Sequence, residues 1–132
     1  MTHASKNVLV IEDDVDILSS LAEVIRDEGF TVYTAANGYQ ALMQVEQNEP
    51  ALIFLDLMLP QMNGWRFVQE LRARFPDTKA PIVLVSAVHD IAREAAKLGA
   101  QRFLRKPFDL ADIVRITREC CRPAEAVSAS MH

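Results

Sequence analysis

The chain has 132 residues, half of them hydrophobic, with 18 acids against 14 bases for a formal charge of −4. It is long enough for one domain to bury a core without disulfide staples, and too apolar for disorder in its bulk. A mildly acidic total with no concentrated basic stripe argues against nucleic acid as a direct partner, and no apolar run approaches membrane-spanning length.

In chain order, the polar start leads into Asn7 to Ile11, NVLVI, a β-branched run that ends in three acids, Glu12, Asp13 and Asp14. A run of this kind fits a strand buried on both faces, as in a parallel sheet. Asp14 then reads as the cap of a first helix, whose apolar positions Ile17, Leu18, Leu21, Val24 and Ile25 keep a 3.6-residue period until Gly29. Thr31 to Ala35 reads as a second strand. Asn37, with Gln40 three residues on, signals the start of a helix through Leu42, Met43 and Val45, stopped by Asn48 to Pro50.

The third strand, LIFL over Leu52 to Leu55, is followed by a single carboxylate, Asp56. A loop from Leu57 to Asn63 leads to Gly64 and a third helix, with Trp65, Val68, Leu71 and Phe75 marking its face. Pro81 to Val85 reads as the fourth strand, with Ser86 at its edge. A helix over about Asp90 to Leu98 ends at Gly99, and Arg102 to Leu104 makes a short fifth strand before Arg105, Lys106 and Pro107. Asp109 with Asp112 caps a last helix whose apolar face takes in Leu110, Ile113, Val114, Thr117 and Cys121. Residues 123–132 are small and polar, and the reading is a domain over residues 6–122 with flexible termini at 1–5 and 123–132.

Five strands alternating with five helices imply right-handed crossovers and an α/β fold, a doubly wound parallel sheet with helices on both faces. Strand order is not readable from periodicity. Ligands in such sheets bind at the carboxyl ends of the strands. Four of the five strands end there in polar groups: Glu12 and Asp13, Asp56, Ser86 and Lys106. Converging carboxylates repel, so a divalent cation or the lysine must offset them, and an all-oxygen donor set suits Mg²⁺. The hydroxyl and ammonium are groups that phosphoryl oxygens require.

With VLVIEDD, LIFLDLMLPQMNG, PIVLVSA and LGAQRFLRKPF in this order and spacing, residues 7–122 resemble the receiver domains of two-component response regulators. The resemblance implies a flavodoxin-like fold with strand order 2-1-3-4-5. It implies that Asp56 accepts a phosphoryl group from a histidine kinase or phosphotransfer histidine. Asp13 would bind Mg²⁺ directly, Glu12 through water, and the backbone carbonyl of Met58 would complete the protein ligands. Ser86 and Lys106 would hold the phosphoryl oxygens, Phe103 would stand at the aromatic switch position, and Lys106–Pro107 would be a cis peptide. The span from Ser86 to Lys106 is about two residues shorter than in most receivers, which leaves the order of helix four open. Arg102 stands where the winged-helix transcription factors of the family carry an acid, so that dimer is not supported.

The function expected is a stand-alone phosphoprotein that switches conformation to control a separate protein, cytoplasmic, a monomer or weak dimer, and no enzyme beyond Mg²⁺-dependent self-phosphorylation and slow self-dephosphorylation. Slow loss is expected because the resemblance places Met58 and Val88, two residues beyond Asp56 and Ser86, beside the line of water attack, and neither offers a group to orient water. The alternatives are an intermediate carrier in a phosphorelay and an aspartate-nucleophile phosphatase of the haloacid dehalogenase type. The latter wants an aspartate where Met58 stands and a nucleophile on the first strand. His3, His89 and His132 have no ligand spacing, adjacent Cys120 and Cys121 read as reduced thiols, and Arg102, Arg105, Arg115, Arg118 and Arg122 read as a solvated face.

Overall fold

The computed structural model describes residues 6–121. Ten elements alternate without exception: β1 Asn7–Ile11, α1 Val15–Asp27, β2 Thr31–Ala35, α2 Gly38–Gln47, β3 Leu52–Leu55, α3 Gly64–Arg74, β4 Ile82–Ser86, α4 Ile91–Leu98, β5 Arg102–Arg105 and α5 Leu110–Cys120. The strands form one parallel sheet in the order β2-β1-β3-β4-β5. The expected calls on the two termini fall outside the described residues, and none of the helices described is long and apolar enough to cross a membrane.

Alternation along each strand builds two cores, because successive side chains point to opposite faces. Leu9, Ile11, Ile53, Leu55, Ile82 and Leu84 pack on one face against residues of α2, α3 and α4. Val8, Val10, Leu52, Phe54, Val83 and Val85 pack on the other against residues of α1 and α5. β3 and β4 are buried along their whole length, as expected of strands covered on both sides.

Caps set where the helices begin. Asp14 accepts from the amides of Asp16 and Ile17, Asn63 from Arg66, and Asp109 from Ala111. Asn37 accepts from the Gln40 amide, while the Gln40 side chain reaches back to Ala36 N, one residue before the usual capping-box donor. Gly29 follows α1 with φ 97°, in the left-handed region, as the sequence predicts.

Four readings need correction. β4 runs one residue further than expected, so Ser86 lies inside the ladder, and β5 likewise takes in Arg105. The buried face of α3 centres on Phe67, Val68 and Leu71, with Trp65 only partly covered. In α5 the buried residues are Ile113, Ile116 and Thr117, whereas Leu110 is 38% exposed.

Candidate functional site

Parallel pairing brings the strand ends together. Ile11 is opposite Leu55, so the next residues, Glu12 and Asp56, emerge side by side, and the Asp56 amide donates to Ile11 O at 3.0 Å. Ser86 is opposite Arg105, which delivers Lys106 to the same edge, its amide donating to Ser86 O at 3.0 Å. Lys106–Pro107 is a cis peptide.

The Asp56 carboxylate is buried and held on both oxygens. Oδ1 accepts from Ser86 Oγ at 2.7 Å and from the Met58 amide at 3.1 Å; Oδ2 accepts from Lys106 Nζ at 2.9 Å. The ammonium also lies 2.6 Å from Glu12 Oε1, which joins two buried carboxylates through one cation. That second contact is an ion pair rather than an aligned hydrogen bond, and Glu12 Oε1 has no hydrogen-bond partner although it is buried. Glu12 Oε2 accepts from the Asp14 amide at 3.1 Å.

Electrostatics follow from this packing. Burial pushes the Glu12 carboxyl above its ordinary value and the Asp56 charge adds to it, while Lys106 and the Asp14 amide offset part of the rise. Burial works to lower the Lys106 ammonium, yet its close contact with Glu12, its hydrogen bond to Asp56 and the attraction of both carboxylates outweigh burial and raise it. The lysine is therefore firmly charged.

Glu12, buried Asp56 and exposed Asp13 each offer an oxygen within 4.8 Å of the other two. They are the only such group of His, Cys, Asp or Glu among the described residues. Three carboxylates that each bring a hard oxygen donor to one point fit a divalent cation such as Mg²⁺.

The other candidates fall as follows. Met58 is 60% exposed at the rim, and Val88 is partly buried against the core, its carbonyl accepting from Arg105 Nη1 at 3.4 Å. Phe103 is 43% exposed and is part of neither core. His89 is exposed. Arg102, Arg115 and Arg118 pair with acids rather than standing free: Arg102 and Arg115 with Glu119 of α5, Arg118 with Glu28 just beyond α1. The thiols of Cys120 and Cys121 are unbridged.

Sequence reasoning missed the role of Gly64. Its amide donates to Leu57 O at 2.9 Å, and a Cβ there would stand 2.7 Å from both Asp56 O and Leu57 Cα, so α3 can begin against the Asp56 backbone only at a glycine. A cleft of about 530 Å³, mostly apolar, opens beside the lysine between α1 and α5, lined by Ile17, Ser20, Lys106, Pro107, Phe108 and Leu110 among others.

Comparison with known proteins accounts for this geometry. The transcriptional regulatory protein PrrA of Mycobacterium tuberculosis is 37% identical over 128 residues, which cover 96% of this chain and 54% of PrrA. The DNA-binding response regulator MtrA of the same species is 37% identical over 93% of this chain and 56% of its own. The chain thus spans about half the length of the curated relatives it matches. Among solved structures, the receiver domain of NtrX from Brucella abortus superposes with a TM-score of 0.76 at 30% identity, covering 86% of this chain and 96% of that one. The chemotaxis protein CheY4 of Vibrio cholerae gives 0.79 at 26% identity over 89% and 99%. The family model described as the response regulator receiver domain matches residues 8–118, and the chain belongs to that family.

Proposed function

We propose that this receiver takes a phosphoryl group onto Asp56 from a histidine kinase or phosphotransfer histidine and switches conformation to control a partner. The observation that carries the reading is a buried carboxylate held by a hydroxyl and an ammonium, with two further carboxylates at its side. An Asp56 oxygen attacks the donor phosphorus, the bond to the donor's leaving atom breaks, and an acyl phosphate forms. Lys106 Nζ and Ser86 Oγ, now bonded to the carboxylate, transfer their hydrogen bonds to phosphoryl oxygens, which supplies charge stabilisation where it develops. Asp13, Asp56 and the Met58 carbonyl would hold Mg²⁺, with Glu12 supporting it through water. Bound there, the ion neutralises the phosphoryl oxygens and relieves the repulsion among the carboxylates.

As Ser86 is drawn to the phosphoryl group, room opens behind it on β4 and Phe103 moves inward from its exposed position, biasing a two-state equilibrium. The protein is a phosphoacceptor, not a turnover enzyme: Asp56 follows β3 rather than the first strand, and Met58 stands where a phosphatase of the haloacid dehalogenase type would place its acid. It works in the cytoplasm, where its donor and target are, as a monomer or weak dimer. Incubation with a small phosphomonoester and Mg²⁺ should give no sustained release of phosphate. Multiple turnovers abolished by Asp56→Asn would replace this reading with that of a phosphatase.

A further inference from the structure

Helix α4 is the shortest helix among the described residues, and its N-terminus has no side-chain cap. Asp90, at its N-cap, lies in the left-handed region at φ 58° and makes no side-chain cap hydrogen bond, and only Ile91 and Ala95 are buried. Its polar anchors come instead from α3. Trp65 Nε1 donates to Glu94 Oε1 at 2.8 Å in the first turn of α4, and Arg72 Nη2 donates to Leu98 O in the last. Trp65 and Arg72 are seven residues apart, two turns of helix, and so share one face of α3. The guanidinium also places positive charge at the carbonyl end of α4, where the helix dipole favours it. At its other extreme, α3 begins at Gly64, seated on the backbone of Asp56 and Leu57 with no room for a Cβ.

We propose that α3 is a two-point clamp on α4: Trp65 and Arg72 hold the short helix folded, and any displacement of the Asp56 backbone is carried through Gly64 to both of its ends. Trp65, Glu94 and Arg72 are positioning residues. The clamp stands on geometry alone; its response to phosphorylation rests on the reading of Asp56 as the acceptor.

Hydrogen exchange resolved by peptide tests both halves on the full chain. Without ligand, Trp65→Phe, Glu94→Ala and Arg72→Met should each speed exchange of the 91–98 amides about fivefold, the equivalent of about 1 kcal/mol for one net hydrogen bond. Trp65→Phe combined with Glu94→Ala should add nothing to either alone, whereas Trp65→Phe with Arg72→Met should compound, and α1 and α5 should be unaffected. Unchanged exchange in α4, or a uniform rise across the molecule, would overturn the clamp. With Mg²⁺ and beryllofluoride as the phosphoryl mimic, exchange in wild-type α4 should change, and that change should vanish in Trp65→Phe/Arg72→Met while the residues around Asp56 still respond. A double variant whose α4 responds like wild type removes α3 as the route. A wild type in which even the Asp56 loop ignores the mimic refutes the acceptor reading and leaves the ligand-free comparison to decide the clamp.

Discussion

Replacing Lys106 with methionine keeps the aliphatic stem and removes the single cation between two buried carboxylates. Nζ stands 2.9 Å from Asp56 Oδ2 and 2.6 Å from Glu12 Oε1, and the lysine side chain is 16% exposed. At an effective dielectric of about 20, each contact has a gross attraction of about 6 kcal/mol, most of it cancelled by desolvation. Removing one member of a buried pair costs about 3–5 kcal/mol, and the lower end applies where the site opens to water. For a domain near this size about 3 kcal/mol corresponds to a fall in Tm of about 12 °C. Mg²⁺ should then stabilise Lys106→Met more than wild type, since the ion replaces the missing charge without competing against an ammonium; at a hundredfold excess over Kd the gain is about 2.7 kcal/mol. The pH dependence has a definite sign. The Lys106 ammonium is raised above 10.5 in the fold, so its contribution is present below that value and is lost as pH rises through the folded pKa. The two proteins should therefore converge in strongly alkaline solution. Calorimetric melts with chelator and with Mg²⁺ measure all of this. A variant as stable as wild type in chelator, or one that gains less from Mg²⁺, would refute the charge argument.

Gly64→Ala should cost about 1–3 kcal/mol by overpacking against the Asp56 backbone, despite alanine's better helix propensity; an unchanged Tm would show that α3 shifts freely. Met58→Asn and Val88→Glu should each shorten the life of the Asp56 phosphoryl group at saturating Mg²⁺, because they supply a group that orients water; equal decay in all three proteins would remove these side chains from control of water access. Burial raises both the Cys120 and Cys121 thiols, with Glu119 adding to the first and Cys120 to the second, so iodoacetamide should modify folded protein slowly at neutral pH and unfolded protein at the rate of free thiols. Rapid labelling of native protein at pH 7 would contradict the packing at the end of α5.

Three of the strands were legible because burial on both faces demands unbroken apolar runs, and the acids or hydroxyl that end them stand out against such runs. NVLVI, LIFL and PIVLV announced both the sheet and its polar edge, whereas strand order came only through resemblance to a family, since no periodicity encodes which strands pair. Asp14 and Asn37 were readable as caps because their partners lie within three residues. The face of α5 was misread by extending an apolar stripe to Leu110, where the core has already ended. The reading of α3 placed Trp65 on the packed face but missed the fully buried Phe67, and it could not foresee that the indole N–H reaches Glu94 on another helix. Ties of this kind join residues 29 positions apart and leave no trace in a linear pattern. The same holds for the seating of Gly64 under Asp56.

The central claim is that Asp56 is the one residue that takes a phosphoryl group, with Mg²⁺ and with Lys106 and Ser86 as its holders. Intact-protein mass spectrometry after incubation with acetyl phosphate tests it most directly, on wild type with Mg²⁺, on wild type with chelator, and on Asp56→Asn with Mg²⁺. The account predicts a single phosphoryl adduct in the first sample and none in the other two. An adduct of the same abundance on Asp56→Asn would contradict it.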